Sequence, residues 1–423
     1  IRSLPDFESK QDVLGFLTMH TSIHVNLRNQ EAVQEACEIL RNCVHCGFCN
    51  AVCPTYQLLG DELDGPRGRI SIIKNLLAED TISSQSASHI DRCLTCRSCE
   101  STCPSGVKYG RLLDIGREII NDHYTRPFHH RFLSWNLRKT LSRPQLFRIL
   151  LLTGRIFRHL LPRIVAQTVP VKEAVSFEPQ PLDVDRASQR IMLLNGCVQQ
   201  AATPNVNAAI EYLLTKRNVE VTYLESEGCC GALDYHLSAY KGALGKIKDL
   251  VDKLDAKLSS VDYIVSAASG CGVTIKEYPE ILKYDKHYYE KSKRIASKVL
   301  DVSEYLSRFN FRCQNLRIAV HTPCSLGHAQ KMPTHLEKTL EAAGATLVEV
   351  GDKHICCGSA GSYSILQPGI ADELTSRKIR QLERAEPDYI LTANIGCQLQ
   401  LNASADIPVM HWVEFLALKL LND

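Results

Sequence analysis

The chain has 423 residues, a length that predicts two or three domains. Its composition is that of an ordinary globular protein, and a formal net charge of +2 gives no indication of nucleic-acid binding. No apolar run of about 18 residues without charges occurs, so no transmembrane helix is predicted. The first residues, IRSLPDFESKQD, lack the charged-then-apolar layout of a secretory signal peptide.

Cysteine is the informative residue type, because the chain contains 18 of them. An extracellular protein with so many cysteines is usually a small disulfide-bonded scaffold. This chain is long and 44% hydrophobic, and its first residues do not predict an export signal. We therefore expect a reducing, cytosolic compartment in which the cysteines bind metal.

Eight cysteines lie in two runs of the form C-x2-C-x2-C-x3-C-P, at residues 43–54 and 93–104. This is the bacterial ferredoxin run, in which three closely spaced thiolates wrap one cluster and the fourth reaches the other cluster. The runs predict two [4Fe–4S] clusters, the first on Cys43, Cys46, Cys49 and Cys103, and the second on Cys93, Cys96, Cys99 and Cys53. A zinc ribbon is the alternative, but zinc has no use for the third C-x2-C step or the Cys-Pro ending.

The segments that flank these runs are predicted to be helical, which gives a ferredoxin-like domain over residues 1–122. DGPRGRISIIKNLLAED indicates a turn and then an amphipathic helix. VKYGRLLDIGREIIND indicates a second helix. Arg67 and Arg69 are candidates for offsetting the negative charge of the clusters; a solvated or helix-capping role is the alternative. One face of the first helix is expected to carry Ile70, Ile73, Leu76 and Leu77.

Residues 123–186 form a predicted basic amphipathic connector and linker. No Asp or Glu occurs between Asp122 and Glu173, whereas Leu, Ile and Phe alternate with Arg at helical spacing. This pattern is typical of helices on an anionic membrane surface. A helical connector packed on protein, with its arginine stems lying over apolar surface, is the equal alternative. Pro170, Pro179 and Pro181 predict an extended linker at its end.

The remaining chain is duplicated, with one module at residues 187–310 and another at 311–423. In both modules, 31 residues separate the first cysteine from a Cys-Cys-Gly sequence, and 39 or 40 separate that pair from the last cysteine. Short β-branched runs alternate with helical stretches, which predicts α/β units with parallel sheets. The cysteines follow strands, where ligands of such sheets gather. The candidate metal ligands are Cys197, Cys229, Cys230 and Cys271, and Cys324, Cys356, Cys357 and Cys397.

The other cysteines and the histidines belong neither to the ferredoxin runs nor to the duplicated cysteine pattern. Cys37 and Cys313 are expected to be structural. His321 and His328 flank Cys324, but a core or surface role is favoured over ligation. No dinucleotide-binding glycine loop and no nucleophile motif occurs, so we expect no catalytic residue, flavin or substrate site on this chain. The fold class is thus α+β multidomain: a helical 2[4Fe–4S] domain, a basic helical connector and a duplicated α/β module.

Over almost its whole length, the chain resembles the iron–sulfur subunits of glycolate oxidases. The resemblance rests on both ferredoxin runs, LLGDELDGPRGRI, SEGCCGALDYHL, SAASGCGVTIKEY, HTPCSLGHAQK and TANIGCQ. The duplicated half is similar, more distantly, to the cysteine-rich subunits of heterodisulfide reductase and of anaerobic glycerol-3-phosphate dehydrogenase. In heterodisulfide reductase each such CCG domain closes with C-x2-C and binds a noncubane cluster. Here Thr274 and Gln400 occupy the last position, which leaves four cysteines in each module.

The resemblance implies an electron-transfer subunit with two [4Fe–4S] clusters and one or two further clusters in the CCG modules. It also implies two flavin-type partner subunits, at least one with FAD, that oxidise a 2-hydroxy acid at the cytoplasmic membrane and reduce a quinone. Three alternatives remain open. In the first, the chain is an electron-transfer subunit of a complex that oxidises D-lactate, D-2-hydroxyglutarate or glycerol 3-phosphate. In the second, it is a catalytic subunit similar to that of heterodisulfide reductase. In the third, it is a zinc-bearing scaffold.

Overall fold

The computed structural model describes residues 23–24, 26–27, 30–79, 81–157, 159, 177 and 187–421. The chain separates into two compact units, residues 1–127 and 128–423, which are described one at a time.

The first unit is helical in its described part. A 3₁₀ turn at Glu62–Asp64 lies between the third and fourth helices. The helices are α1 (Glu31–Arg41), α2 (Phe48–Ala51), α3 (Pro54–Leu59), α4 (Pro66–Glu79), α5 (Ser84–Asp91), α6 (Ser98–Thr102) and α7 (Tyr109–His123).

The core of this unit forms around the two long helices that the sequence predicted. The predicted apolar face of α4 is confirmed, because Ile73 and Leu77 are fully buried and Ile70 and Leu76 nearly so. Leu112, Leu113 and Ile120 of α7 belong to the same hydrophobic cluster. Pro66 begins α4 at a position where its missing N–H has no helical acceptor, so it starts the helix without cost.

The second unit begins with two helices, α8 (Phe128–Leu141) and α9 (Pro144–Ile156). The first sheet region contains β1 (Gln189–Leu194), α10 (Gln199–Ala202), α11 (Asn205–Thr215), β2 (Val219–Tyr223), α12 (Ala232–His236), α13 (Tyr240–Lys257), a 3₁₀ turn (Leu258–Ser260), β3 (Tyr263–Ser266), α14 (Ser269–Lys276), α15 (Tyr278–Ile281), α16 (Lys286–Lys298), β4 (Val299–Asp301) and α17 (Val302–Leu306).

The second sheet region repeats this plan. It contains β5 (Arg317–His321), a π-helical turn (Ser325–Ala329), α18 (His335–Ala342), β6 (Thr346–Leu347), α19 (Tyr363–Leu366), α20 (Pro368–Glu383), β7 (Tyr389–Thr392), α21 (Ile395–Asn402), β8 (Val409–His411) and α22 (Trp412–Leu418).

Each region forms its own four-stranded parallel sheet, as predicted. The strand orders are β2-β1-β3-β4 and β6-β5-β7-β8. The central pairs have matching registers, with Leu194 opposite Ser266 and His321 opposite Thr392. The sequence did not predict the outer strands β4 and β8, which are only three residues long. In each sheet the carboxyl ends of β1 and β3, or of β5 and β7, therefore meet at one edge.

The two modules share one hydrophobic core. Helix α11 packs on α22, and buried residues from both sheets belong to one cluster that includes Leu213, Trp412 and Phe415. Near the strand ends, Ser269 Oγ lies 2.7 Å from Ser325 Oγ, and His411 Nε2 lies 3.1 Å from Ala267 O. The duplicated halves thus form a single body, with each module supporting the other's sheet edge.

Helices α8 and α9 confirm the helical part of the predicted basic connector. The predicted linker with Pro170, Pro179 and Pro181 lies outside the described residues. In the part of the chain that the structure describes, every helix is too short or too polar to cross a membrane.

Candidate iron–sulfur centres

Both ferredoxin runs fold into the same tight turn followed by a short helix. Positive φ angles occur at the third and fifth residues of each run: 52° at His45 and 85° at Gly47, then 57° at Thr95 and 60° at Arg97. Helices α2 and α6 begin immediately afterwards. The left-handed residues bend the chain sharply enough to bring the three C-x2-C thiols of each run towards one point.

The first candidate site is a pocket in the first unit. It is lined by Cys43, Cys46, Cys49 and Cys103, together with Arg67 and Tyr109, and Cys99 of the neighbouring second site also reaches it. The last cysteine of the second run therefore joins the first three of the first run, which is the arrangement that the spacing predicted. Cys46 is exposed, and its neighbours Val44 and Phe48 are 55% and 60% exposed, so this site lies at the surface of the unit.

The second candidate site is more enclosed. The thiol of Cys99 lies among those of Cys96, Cys93 and Cys53. All four of these cysteines are buried. Cys49 of the first site also acts electrostatically on Cys99, which places the two sites next to each other.

The buried thiols suit a cationic group. Burial raises the pKa of Cys49 to about 11 and raises the pKa of Cys99 well above its ordinary value, with neighbouring thiolates adding to both effects. Without a bound cation, these thiols stay protonated at neutral pH. Iron supplies the positive charge that lets the thiols ionise, so binding of a cluster and release of protons are coupled. The residues present thus fit [4Fe–4S] clusters.

Polar side chains surround the second site. Tyr109 OH donates to Cys93 Sγ at 3.6 Å, and Thr55 Oγ1 lies 3.3 Å from Cys53 Sγ. Arg69 is 1% exposed and donates to His89 O and Thr55 Oγ1. A solvated role is therefore wrong for Arg69, whose charge lies beside Cys53 and Cys93. Arg67 is partly exposed and pairs with Glu62.

Tyr109→Phe is expected to lower the reduction potential of the cluster at the second site, because it removes a hydrogen bond that weakens electron donation from Cys93. Such a bond is worth about 1 kcal/mol, or roughly a fivefold change in the redox equilibrium constant. A redox titration followed by electron paramagnetic resonance measures the shift. Tyr124→Phe, at the end of α7, is the control. Identical titrations of Tyr109→Phe and the parent would contradict this role.

The first CCG module brings its four cysteines into contact. Cys197 Sγ lies 3.7 Å from Cys229 Sγ. Cys230 is hydrogen-bonded to both Cys229 and Cys271. Cys197 and the Cys229–Cys230 pair lie in loops that follow β1 and β2, and Cys271 lies in the first turn of α14, which follows β3. Hydrogen bonds from neighbouring thiols lower the pKa of Cys229, so one thiolate is already stabilised in the group.

The second CCG module repeats this grouping with one difference. Cys324 is hydrogen-bonded to Cys356, and Cys357 to both Cys356 and Cys397. Asn394 Nδ2 donates to Cys397 Sγ at 3.6 Å. His321 lies beside Cys357 and Cys397, whereas among the described residues no histidine takes part in the first module's group.

The glycine of each Cys-Cys-Gly sequence has a conformational role. Gly231 and Gly358 have φ angles of 84° and 87°. A Cβ on Gly358 would lie 2.4 Å from Ala371 O and 2.8 Å from Thr375 Oγ1, both on α20. The glycine therefore lets the cysteine pair lie directly against a helix backbone.

The remaining predicted residues lie as follows. Cys37 and Cys313 are buried in hydrophobic clusters. His321 is buried at the end of β5, and His328 lies 3.3 Å from His354 O. Thr274 and Gln400 are engaged locally, with Gly270 O and Thr375 Oγ1.

Sequence reasoning missed several side chains near the thiols, because long separations along the chain hide their proximity. Tyr109 and Arg117 reach Cys93 from α7, and Arg117 Nη2 donates to Cys93 O at 2.8 Å. Lys378 is buried on α20 near Cys356 and Cys357, and this burial lowers its pKa to about 8. The helical spacing of apolar residues on α20 predicts a buried face, but it does not predict a lysine there.

These features define an iron–sulfur electron-transfer protein with a two-cluster ferredoxin domain and two cysteine-rich domains. The family models agree: a 4Fe-4S dicluster domain matches residues 39–107, and a cysteine-rich domain matches residues 191–276 and 318–402. The chain is 42% identical over 403 residues to the glycolate oxidase iron-sulfur subunit of Escherichia coli (strain K12), covering 94% of this chain and 98% of that protein.

The chain belongs to the family of glycolate oxidase iron–sulfur subunits, and is thus one subunit of a multisubunit oxidoreductase. A probable glycolate oxidase iron-sulfur subunit of Bacillus subtilis (strain 168) is 30% identical, covering 86% of this chain and 88% of that protein. A subunit of the fumarate reductase (CoM/CoB) of Methanothermobacter marburgensis is 25% identical, over 99% of this chain and 80% of that protein.

One solved structure has a similar fold. A hypothetical protein from Helicobacter pylori aligns with a TM-score of 0.54 at 9% identity, covering 92% of this chain and 72% of that chain.

Proposed function

We propose that this chain carries electrons from an FAD-binding subunit that oxidises glycolate to glyoxylate, and delivers them towards a membrane quinone. The observation that carries the proposal is the gathering of sixteen cysteines into four groups of four on one chain. Iron–sulfur clusters at such sites accept and release single electrons. They can therefore take the two electrons of a reduced flavin one at a time. The names of the Escherichia coli and Bacillus subtilis relatives support glycolate as the substrate of the complex.

The chain's own residues hold and insulate the redox groups. Tyr109, Thr55 and Arg69 orient and stabilise the sulfur ligands of the second ferredoxin site. In the CCG region Leu151 of α9 packs against Ala268 and Ile395, which precede the last cysteine of each module. Cys271 packs against the same cluster, so α9 covers one side of the first module's thiols, where water would allow side reactions of a reduced cluster.

The purified chain alone is expected not to reduce a dye with glycolate, because we assign oxidation of the substrate to the flavin subunit. Adding the flavin subunits should restore dye reduction and bleach the visible absorption of the clusters. The measurement is anaerobic dye reduction with the chain, with the flavin subunits, and with both. Turnover by a flavin-free preparation of this chain would overturn the proposal.

Lactate is the second candidate substrate. Lactate utilization protein A from Geobacillus thermodenitrificans is 26% identical over 241 residues, which covers 54% of this chain. The same reconstituted complex, tested with glycolate, D-lactate, D-2-hydroxyglutarate and glycerol 3-phosphate, ranks the substrates by kcat/KM. A heterodisulfide-reductase-like activity is less favoured, because Thr274 and Gln400 stand where a fifth cysteine would close each module.

We further propose that α8 and α9 lie on an anionic membrane surface. The stacked rings of Phe128, Phe132 and Trp135 form an exposed aromatic stripe on α8. Ile149 and Ile156 are 57% and 71% exposed on α9. Exposed arginines accompany this apolar face, as in interfacial helices. The opposite face of α9 packs near the CCG thiols, so a quinone in the membrane would lie close to them.

A triple variant, Arg131→Gln, Arg143→Gln and Arg148→Gln, is expected to bind vesicles of anionic phospholipid more than a hundredfold more weakly. Each arginine contributes about 1 kcal/mol near such a surface. Co-sedimentation with vesicles measures the loss. The matched control removes three exposed charges outside α8 and α9, with Lys257→Gln, Lys293→Gln and Lys338→Gln. Equal binding by both triple variants would contradict the membrane proposal.

A further inference from the structure

The two CCG modules differ at a position that faces their thiols. RIMLLNGC of the first module matches RIAVHTPC of the second, so Leu194 at the end of β1 corresponds to His321 at the end of β5. Both residues are buried, at 4% and 3% exposure. The repeat has thus replaced an apolar side chain with an imidazole at the same point of the fold.

His321 lies close enough to two sulfurs for the three residues to bind one metal ion. One of its ring nitrogens, Cys357 Sγ and Cys397 Sγ all lie within 4.8 Å of one another, and all three residues are buried. Its Nε2 atom is buried and has no hydrogen-bond partner among the described residues. Burial of a polar atom without a hydrogen-bond partner destabilises the fold by about 1–3 kcal/mol, so such an atom needs a physical explanation.

His411, another buried histidine in this unit, shows how such a side chain is normally satisfied. Its Nε2 lies 3.1 Å from Ala267 O, and its Nδ1 accepts from Val413 N. The contrast shows that the fold can pair a buried imidazole with backbone groups. At His321 the neighbouring groups are sulfurs of candidate metal ligands instead.

A second difference accompanies the first. A Cβ added to Gly231 would contact Ala243 O, and a Cβ added to Gly358 would contact Ala371 O. Because these contacts are equivalent, Ala243 of α13 aligns with Ala371 of α20. On that alignment Leu250 of the first module corresponds to Lys378 of the second. Lys378 Nζ donates to Asp352 O at 2.6 Å and acts electrostatically on Cys356 and Cys357. The second module therefore combines a nitrogen donor with a cation that offsets thiolate charge.

We propose that His321 is a nitrogen ligand of the iron–sulfur centre in the second CCG module, beside Cys357 and Cys397, and that the first module is ligated by cysteine alone. The inference rests on the proposed presence of a cluster in the second module. Histidine is an established ligand of iron–sulfur clusters in place of cysteine. It supplies this module with five donors, whereas the first module has four.

The test uses the full chain, labelled with ¹⁵N-histidine, anaerobically purified and reduced. Pulsed electron paramagnetic resonance detects the coupling of a directly bound nitrogen, which ferredoxin clusters with four cysteine ligands do not give. The parent is expected to show this coupling. His321→Leu, which copies the first module, should lose it, and His328→Gln should keep it. His321→Cys should keep the iron of the second module while losing the nitrogen coupling.

Two failures are distinguishable. If Cys357→Ser leaves the iron content of the chain unchanged, the cluster assignment itself fails. If Cys357→Ser removes iron but the parent shows no histidine nitrogen coupling, only the role of His321 fails. Retention of the coupling in His321→Leu would also overturn the inference. The ferredoxin cluster signals and the far-ultraviolet circular dichroism of each variant show that the chain has folded.

Discussion

Gly358→Ala is expected to destabilise the second unit by about 3 kcal/mol and to remove the metal from the second CCG module. A left-handed backbone costs a non-glycine residue about 1–2 kcal/mol, and overpacking adds about 1–3 kcal/mol. The new methyl group would lie 2.4 Å from Ala371 O, a backbone atom that cannot move without distorting α20. The strain acts on the residue next to Cys357, so the thiols move apart.

The measurement combines thermal unfolding with iron analysis. A loss of about 3 kcal/mol lowers the melting temperature of a unit of this size by roughly 5 °C. Gly369→Ala is the matched control, because that glycine lies in the first turn of α20 and a Cβ there meets nothing within 4 Å. It should be neutral or slightly stabilising. If both variants kept the parent's melting temperature and iron content, the strained position of Gly358 would not matter for the site.

This result would explain why glycine follows the cysteine pair. A close approach of the backbone to a cluster is another physical reason for a glycine beside two cysteines. In the structure Gly231 and Gly358 instead let the backbone approach α13 and α20. The sequence indicates that the backbone at this glycine lies close to another group. Which group it contacts depends on how a helix packs on the sheet edge.

The sequence predicted those parts of the fold that depend on local periodicity. The apolar spacing in α4 and the β-branched runs of β1, β3, β5 and β7 are strong local signals, and all are confirmed. The two matched cysteine layouts also predicted which loops come together, because parallel strand ends share an edge. β4 and β8 were missed because three residues carry too little pattern.

Side chains that complete the sites were harder to predict, because they come from distant elements. The sequence indicated that Arg69 was a candidate for the cluster environment but left solvation open; the structure buries it beside Cys53. His321 is separated from Cys357 by 35 residues and from Cys397 by 75, so its proximity depends on the register of β5 and β7. Only the packed sheet shows that its imidazole faces sulfur.

Iron content is the second large effect, and it tests whether the CCG thiols hold clusters. Two ferredoxin clusters account for eight iron atoms, and one cubane in each CCG module would bring the chain to sixteen. Cys230→Ser and Cys357→Ser are each expected to remove four, because each thiol is buried, is hydrogen-bonded to two neighbouring cysteines and cannot be replaced by another thiol nearby. A hydroxyl is a poor substitute, since iron in these clusters prefers thiolate.

The matched controls are Cys37→Ser and Cys313→Ser, since both residues are buried in hydrophobic clusters and belong to none of the four groups. They test whether a buried cysteine lost anywhere in the chain lowers the iron content through general destabilisation. The expected pattern is a loss of four iron atoms in each CCG variant and none in the controls, with the ferredoxin signals intact throughout. Eight iron atoms in an active, anaerobically prepared parent, unaffected by Cys230→Ser and Cys357→Ser, would show that the CCG thiols hold no cluster. Their close grouping would then serve folding of the sheet edges alone.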